Sequence, residues 1–141
     1  MGLIYFEDIA PGQTIELPEF KIPADLRDGH VRLYSEDWPS ELVEKPRNRG
    51  VIPGPMIMAI AGGHMGRYGN LAIYYMLEYR SVKFHRPVCV GDTIRIRTEF
   101  TDCKAVEGKK YGHVNAHQSI HNQRNELSCE RHLTYGILLR P

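Results

Sequence analysis

The stretch Gly50-Val-Ile-Pro-Gly-Pro-Met-Ile-Met-Ala-Ile-Ala-Gly-Gly-His-Met-Gly-Arg-Tyr-Gly69 decides the fold. Gly54 in a capping position and Pro55 in the first turn make a strong helix start, because proline has no N–H to lose there and its φ is preset for a helix. From Met56 to Met65 the residues are apolar nearly all round, which predicts a helix buried on every side. Gly62 and Gly63 each weaken such a helix by about 1 kcal/mol relative to alanine. They make sense if something packs very close to the backbone there. Gly69 is a natural stop. The apolar run is interrupted by Pro53 and Pro55 and is too short to span a bilayer.

Everything after Gly69 reads as strand. Ala72 to Tyr79 and Ser81 to Val88 are rich in tyrosine and aliphatic residues. From Asp92 to Val106, Ile94, Ile96, Thr98 and Phe100 alternate with Arg95, Arg97, Glu99 and Thr101, the pattern of a half-buried strand. Glu107-Gly-Lys-Lys is a hairpin turn leading to a strand over Tyr111 to His121. A polar turn with Asn122 and Asn125 leads to another over Leu127 to Leu139. Before the helix, Gln13 to Phe20 reads as a short strand ending near Pro18. Residues 22–25 open a helix running to about Ser35, and Glu36 to Arg49 is a polar loop broken by Pro39 and Pro46. One helix against a long antiparallel meander is an α+β layout.

The chain of 141 residues is the size of one domain and buries a core without disulfides or structural metal. A net charge of +1 gives no electrostatic reason for a nucleic-acid or anionic-membrane partner. Cys89, Cys103 and Cys129 form neither a disulfide framework nor a metal knuckle, as expected of free thiols in a reducing compartment. The first residues lack a basic start followed by an apolar core. A cytoplasmic protein is the expectation.

Three segments together resemble the MaoC-like acyl dehydratase and (R)-specific enoyl-CoA hydratase family. These are Tyr5-Phe-Glu-Asp-Ile-Ala-Pro-Gly-Gln, then Gly50 to Gly63, and Phe84-His-Arg-Pro-Val-Cys-Val-Gly-Asp-Thr-Ile. They stand in the family's order and span most of the chain, taken as one domain over residues 1–141. The resemblance implies a hot-dog fold, in which a curved antiparallel sheet wraps around one long central helix. It also implies an acyl-CoA or related thioester substrate, no metal or redox cofactor, and a homodimer or larger homo-oligomer.

Water addition to an enoyl thioester requires a base for the water, an acid for the α carbon and donors for the thioester oxygen as it gains charge. The N-terminus of a helix supplies free N–H groups. Gly54 sits where the family's oxyanion donor is. Pro55 cannot donate, so Gly54 and Met56 are the candidates. The family's hydratases place a histidine five residues after an aspartate, around Asn-Pro. Here Ser35-Glu-Asp-Trp-Pro-Ser-Glu-Leu offers Asp37 and Pro39 with one residue fewer between them and no histidine. Glu41 falls nearest the histidine position, and Pro53 replaces a second family histidine before the helix glycine. Asp37 and Glu41 are the candidate carboxylate pair, one kept protonated by burial. Trp38 is the candidate lining for an acyl pocket. His64, inside the helix, is either a core residue or a substitute base. Arg86 is a candidate contact for a pantetheine or nucleotide phosphate.

His113, His117 and His121, spaced by four, would share a face of a helix, but on a strand they lie about 13 Å apart in turn, beyond common ligation. Their face reads as solvated or inter-subunit, opposite a similarly polar row of Ser128, Glu130, His132 and Thr134. Two further functions fit the same residues: a hot-dog acyl-CoA thioesterase, with Glu41 or Asp37 activating water, and a non-catalytic acyl-CoA-binding or structural subunit.

Overall fold

A computed structural model describes residues 2–34 and 50–141; the side chain of Tyr34 is not among the described groups. A short 3-10 turn (Phe6–Asp8) precedes β1 (Thr14–Glu16), β2 (Phe20–Lys21) and α1 (Ala24–Tyr34). Then come α2 (Gly54–Tyr68), β3 (Ile73–Phe84), β4 (Thr93–Ala105), β5 (Tyr111–His121) and β6 (Leu127–Leu138). Six strands make one antiparallel sheet in the order β1-β4-β5-β6-β3, with β2 also on β4. None of the described helices is long and apolar enough to cross a membrane.

Parity along the strands sets which face is inside. Ile94, Ile96, Thr98 and Phe100 of β4, Val114, Ala116, Gln118 and Ile120 of β5, and Cys129, Arg131, Leu133, Tyr135 and Ile137 of β6 are all buried. Met56, Ile57, Ala61 and Met65 of α2 close over this face, and the Thr98 hydroxyl touches the Met65 sulfur at 3.7 Å. Burying one such aliphatic side chain contributes about 1.5–3 kcal/mol, so these rows dominate the stability of the domain.

The two hairpins follow from their turn residues. Gly108 (φ 72°) and Asn125 (φ 59°) take the left-handed conformation the reversals need. The Asn122 carboxamide oxygen accepts from the Arg124 and Glu126 N–H groups at 3.0 Å each. The first segment is two strands rather than one: Pro18 has no N–H for the ladder, and pairing resumes at Phe20. The two strands expected between Ala72 and Val88 are instead the single β3, which bends through three register shifts against β6 rather than stopping.

The central helix departs from expectation in one respect. It is not buried on every side: Pro55, Ala59, Gly63, Gly66 and Arg67 are exposed. Nor does anything crowd Gly62 or Gly63, since a Cβ built on either meets no atom within 4 Å. The close approaches lie elsewhere. A Cβ on Gly112 of β5 would sit 2.3 Å from the Phe6 ring. Gly62→Ala and Gly112→Ala therefore have opposite signs. The first raises stability by about 0.5–1 kcal/mol through helix propensity. The second lowers it by about 1–3 kcal/mol through overpacking. Urea unfolding of both variants beside the wild type checks this, and a loss in Gly62→Ala would reveal a neighbour packed on that face in solution.

Candidate functional site

Two concave regions flank α2. The first, of about 380 Å³, lies at its N-terminus and is lined by Ile52, Gly54, Ile57, Phe84, His85 and Arg86 among others. Val51 and Ile52 hold the approach to the helix in place: Val51 bridges to Cys89, and the Ile52 N–H donates to the Val88 carbonyl at 2.7 Å. Pro53 is the N-cap residue and contributes no side-chain hydrogen bond, and the first turn holds no acidic residue. The first turn itself therefore offers no negative side chain to the positive end of the helix dipole.

The two candidate donors differ. The Met56 and Ile57 N–H groups both donate to the Pro53 carbonyl, at 3.0 and 3.2 Å. No backbone acceptor takes the Gly54 N–H among the described residues. A Cβ on Gly54 would lie 2.8 Å from the tip of the exposed Phe84 ring, so a side chain there would require that ring to shift. Arg86 stands in the same cleft and pairs with Glu126 at 3.2 Å. Met56 has its side chain buried and lines the second region instead.

That second region is a groove between α1 and α2. Phe20, Leu26, His30 and Ala59 border both of its parts, of about 290 and 570 Å³, and Ile60 and His64 join the first part. Its walls are mostly apolar. His64 packs edge-on against Phe20 with ring centroids 4.7 Å apart and lies 5.3 Å from the Tyr68 ring. Ten residues of helix separate it from Gly54, about 15 Å of rise. The structure therefore does not bring His64 to the Gly54 N–H. Asp37, Trp38 and Glu41 lie outside the described residues.

Arg131 carried no signal of a motif, yet it heads the largest fully buried side chains among the described residues. Its Nε donates to Gln118 at 2.7 Å, and its guanidinium stacks 4.9 Å from the Tyr79 ring. Among the described residues, one nitrogen, Nη2, has no hydrogen-bond partner, and neither does the Tyr135 hydroxyl. Burial pushes that phenol up to about 12, against the pull of Arg131. The available signal was parity: on β6 the inward row reads Cys129, Arg131, Leu133, Tyr135, Ile137, with one charge among apolar residues.

No family model and no curated protein matches this chain. Solved structures do resemble it. A MaoC-like dehydratase from Rhodospirillum rubrum aligns at a TM-score of 0.80 and 14% identity, over 98% of this chain and 99% of its own. An (R)-hydratase from Pseudomonas aeruginosa aligns at 0.78 and 16%, over 98% and 88%. A protein from Mycobacterium tuberculosis described as having a double hot-dog fold aligns at 0.83 and 20%, over 99% of this chain and 46% of that one. The protein has the hot-dog fold. The whole hot-dog chain therefore spans about half of the double protein, matching the division expected if that protein repeats the unit. The names of the first two are those of the family the sequence resembles.

Burial holds the His64 imidazole below its usual range, with Arg67 adding to the lowering and a backbone hydrogen bond to Ile60 opposing it. The folded state thus binds a proton at His64 less readily than the unfolded chain. The stability this confers is complete above the unfolded value of about 6.5 and is lost as pH falls through it. Urea midpoints measured on either side of that value should fall with acid more steeply in the wild type than in His64→Gln. Parallel declines would mean that His64 is solvated.

Proposed function

We propose that this hot-dog protein is an acyl-thioester hydratase or dehydratase, adding water reversibly to the double bond of an enoyl-CoA or a related thioester. The observation that carries the reading is the Gly54 N–H, which has no backbone acceptor among the described residues, at a helix N-terminus whose N-cap Pro53 makes no side-chain bond, beside a cleft lined by Phe84. Likeness to dehydratase and hydratase structures over nearly the whole chain supports the same class.

In this reading the thioester oxygen accepts from the Gly54 N–H. Asp37 takes a proton from water as the water oxygen bonds to the β carbon. Negative charge then collects on the thioester oxygen, where a fixed donor and the helix dipole stabilise it most. A protonated Glu41 returns a proton to the α carbon. One water is consumed and nothing is oxidised or reduced. The acyl chain follows the apolar groove between α1 and α2, where Trp38, Met56 and His64 serve as lining. Arg86, on the other side of Gly54, meets the charged end of the carrier. Cytoplasmic location and a homodimeric or larger assembly belong to this proposal.

The test is a panel of enoyl-CoA thioesters, following the conjugated enoyl absorbance and free thiol together. Absorbance should fall without thiol release. Asp37→Asn should slow it by about 100-fold or more. Ala59→Trp, which narrows the groove, should cut kcat/KM for long chains and spare short ones. Thiol release would replace this reading with a thioesterase. Silence in both channels, with ligand-dependent thermal stabilisation, would mean a non-catalytic binder.

A further inference from the structure

On the outer face of the sheet, away from α2, antiparallel register puts His117 of β5 directly opposite His132 of β6. Their rings lie 4.7 Å apart. Glu130, two residues before His132, shares that face, and its Oε1 is 3.7 Å from the His117 Nε2. One donor atom from each of His117, Glu130 and His132 lies within 4.8 Å of the other two. All three side chains are half-buried. We propose that these three residues bind one divalent transition-metal ion, zinc by preference, as a site separate from the Gly54 cleft.

The donor set selects the metal. Two imidazoles and one carboxylate suit zinc, nickel or copper, whereas magnesium and calcium take oxygen ligands. Tetrahedral donors about 2.1 Å from zinc stand about 3.4 Å from one another. The present donor atoms lie within 4.8 Å of one another, so binding would draw the three side chains closer together. All three residues sit on directly paired strands. A fourth position is left for water or an outside ligand.

The surroundings add to the case. His85 faces the second carboxylate oxygen of Glu130, Nε2 to Oε2 at 3.2 Å. A hydrogen bond there turns the first oxygen toward the histidine pair, the usual task of a group behind a metal ligand. Glu99 is the cross-strand partner of His117 on β4 and adds negative charge on the same face. The arrangement is cross-strand, which explains why the run His113, His117, His121 conceals it: those three are spread along β5, and on β6 His113 faces Gly136 and His121 faces Leu127, while His117 faces His132.

The experiment titrates chelator-stripped protein with zinc sulfate by calorimetry in a neutral to mildly alkaline buffer, because protons compete with a metal for its ligands. Thermal unfolding and a parallel magnesium titration accompany it. The expected result is one equivalent of zinc bound, a rise in Tm of about 5 °C or more at saturating zinc, and no response to magnesium. The double variant His117→Gln/His132→Gln should lose the site. His85→Gln should weaken it by about 10-fold or more. No stoichiometric binding by the wild type, or zinc affinity unchanged in the double variant, would overturn the proposal. If the double variant does not fold, Glu130→Gln takes its place, with unchanged affinity again overturning it.

Discussion

A sheet with one apolar face must be covered along the length of that face, and α2 is what covers it. Every inward row of β4, β5 and β6 converges on Met56, Ile57, Ala61 and Met65. The buried helix residues and the inward strand rows form one core cluster, so the helix face and the strand parity are set together. The position of the Gly54 N–H follows from this. The N-terminus of the helix meets the end of β3, where a Cβ at residue 54 would lie 2.8 Å from the tip of the Phe84 ring, so that ring would have to shift.

The same parity explains why two polar features sit so differently. Gln118 and Arg131 point inward and bond to each other beneath α2, at 2.7 Å. Burying a guanidinium without a carboxylate is costly, and here Tyr79, Met58 and Gln118 share the task that one acid would perform. One residue away on each strand, His117, Glu130 and His132 point outward and stay within reach of water. A one-residue slip between β5 and β6 would exchange the two sets, so the register itself is protected by the burial of β5 and β6 on the inner side.

Much of this was legible in the sequence, for local reasons. Pro55 and Gly69 mark the ends of α2, and β5 and β6 come out almost residue for residue because alternation and turn chemistry agree there. What was hidden depends on distance along the chain. β3 was read as two strands because bulges break its alternation without breaking its pairing. The open flank of α2 could not be seen, since an apolar helix looks the same whether covered or bare. Neither Arg131 under the helix nor the pairing of His117 with His132 leaves a mark in one strand alone, because register is a property of two. Of the proposed site, Gly54 and Arg86 share a cleft, His64 lies a helix length away, and Asp37, Trp38 and Glu41 belong to the segment outside the described residues.

Far from both clefts, the 3-10 turn at Phe6–Asp8 grips the last residues of the chain. Arg140 lies against the Asp8 carboxylate at 2.5 Å, and its N–H donates to Glu7 at 3.1 Å. Tyr5 lies under the same guanidinium. The path from residue 5 to residue 140 is thus a ring nearly closed by a single clasp. Joining its ends covalently would span only a few residues and remove conformational freedom mainly from the unfolded chain.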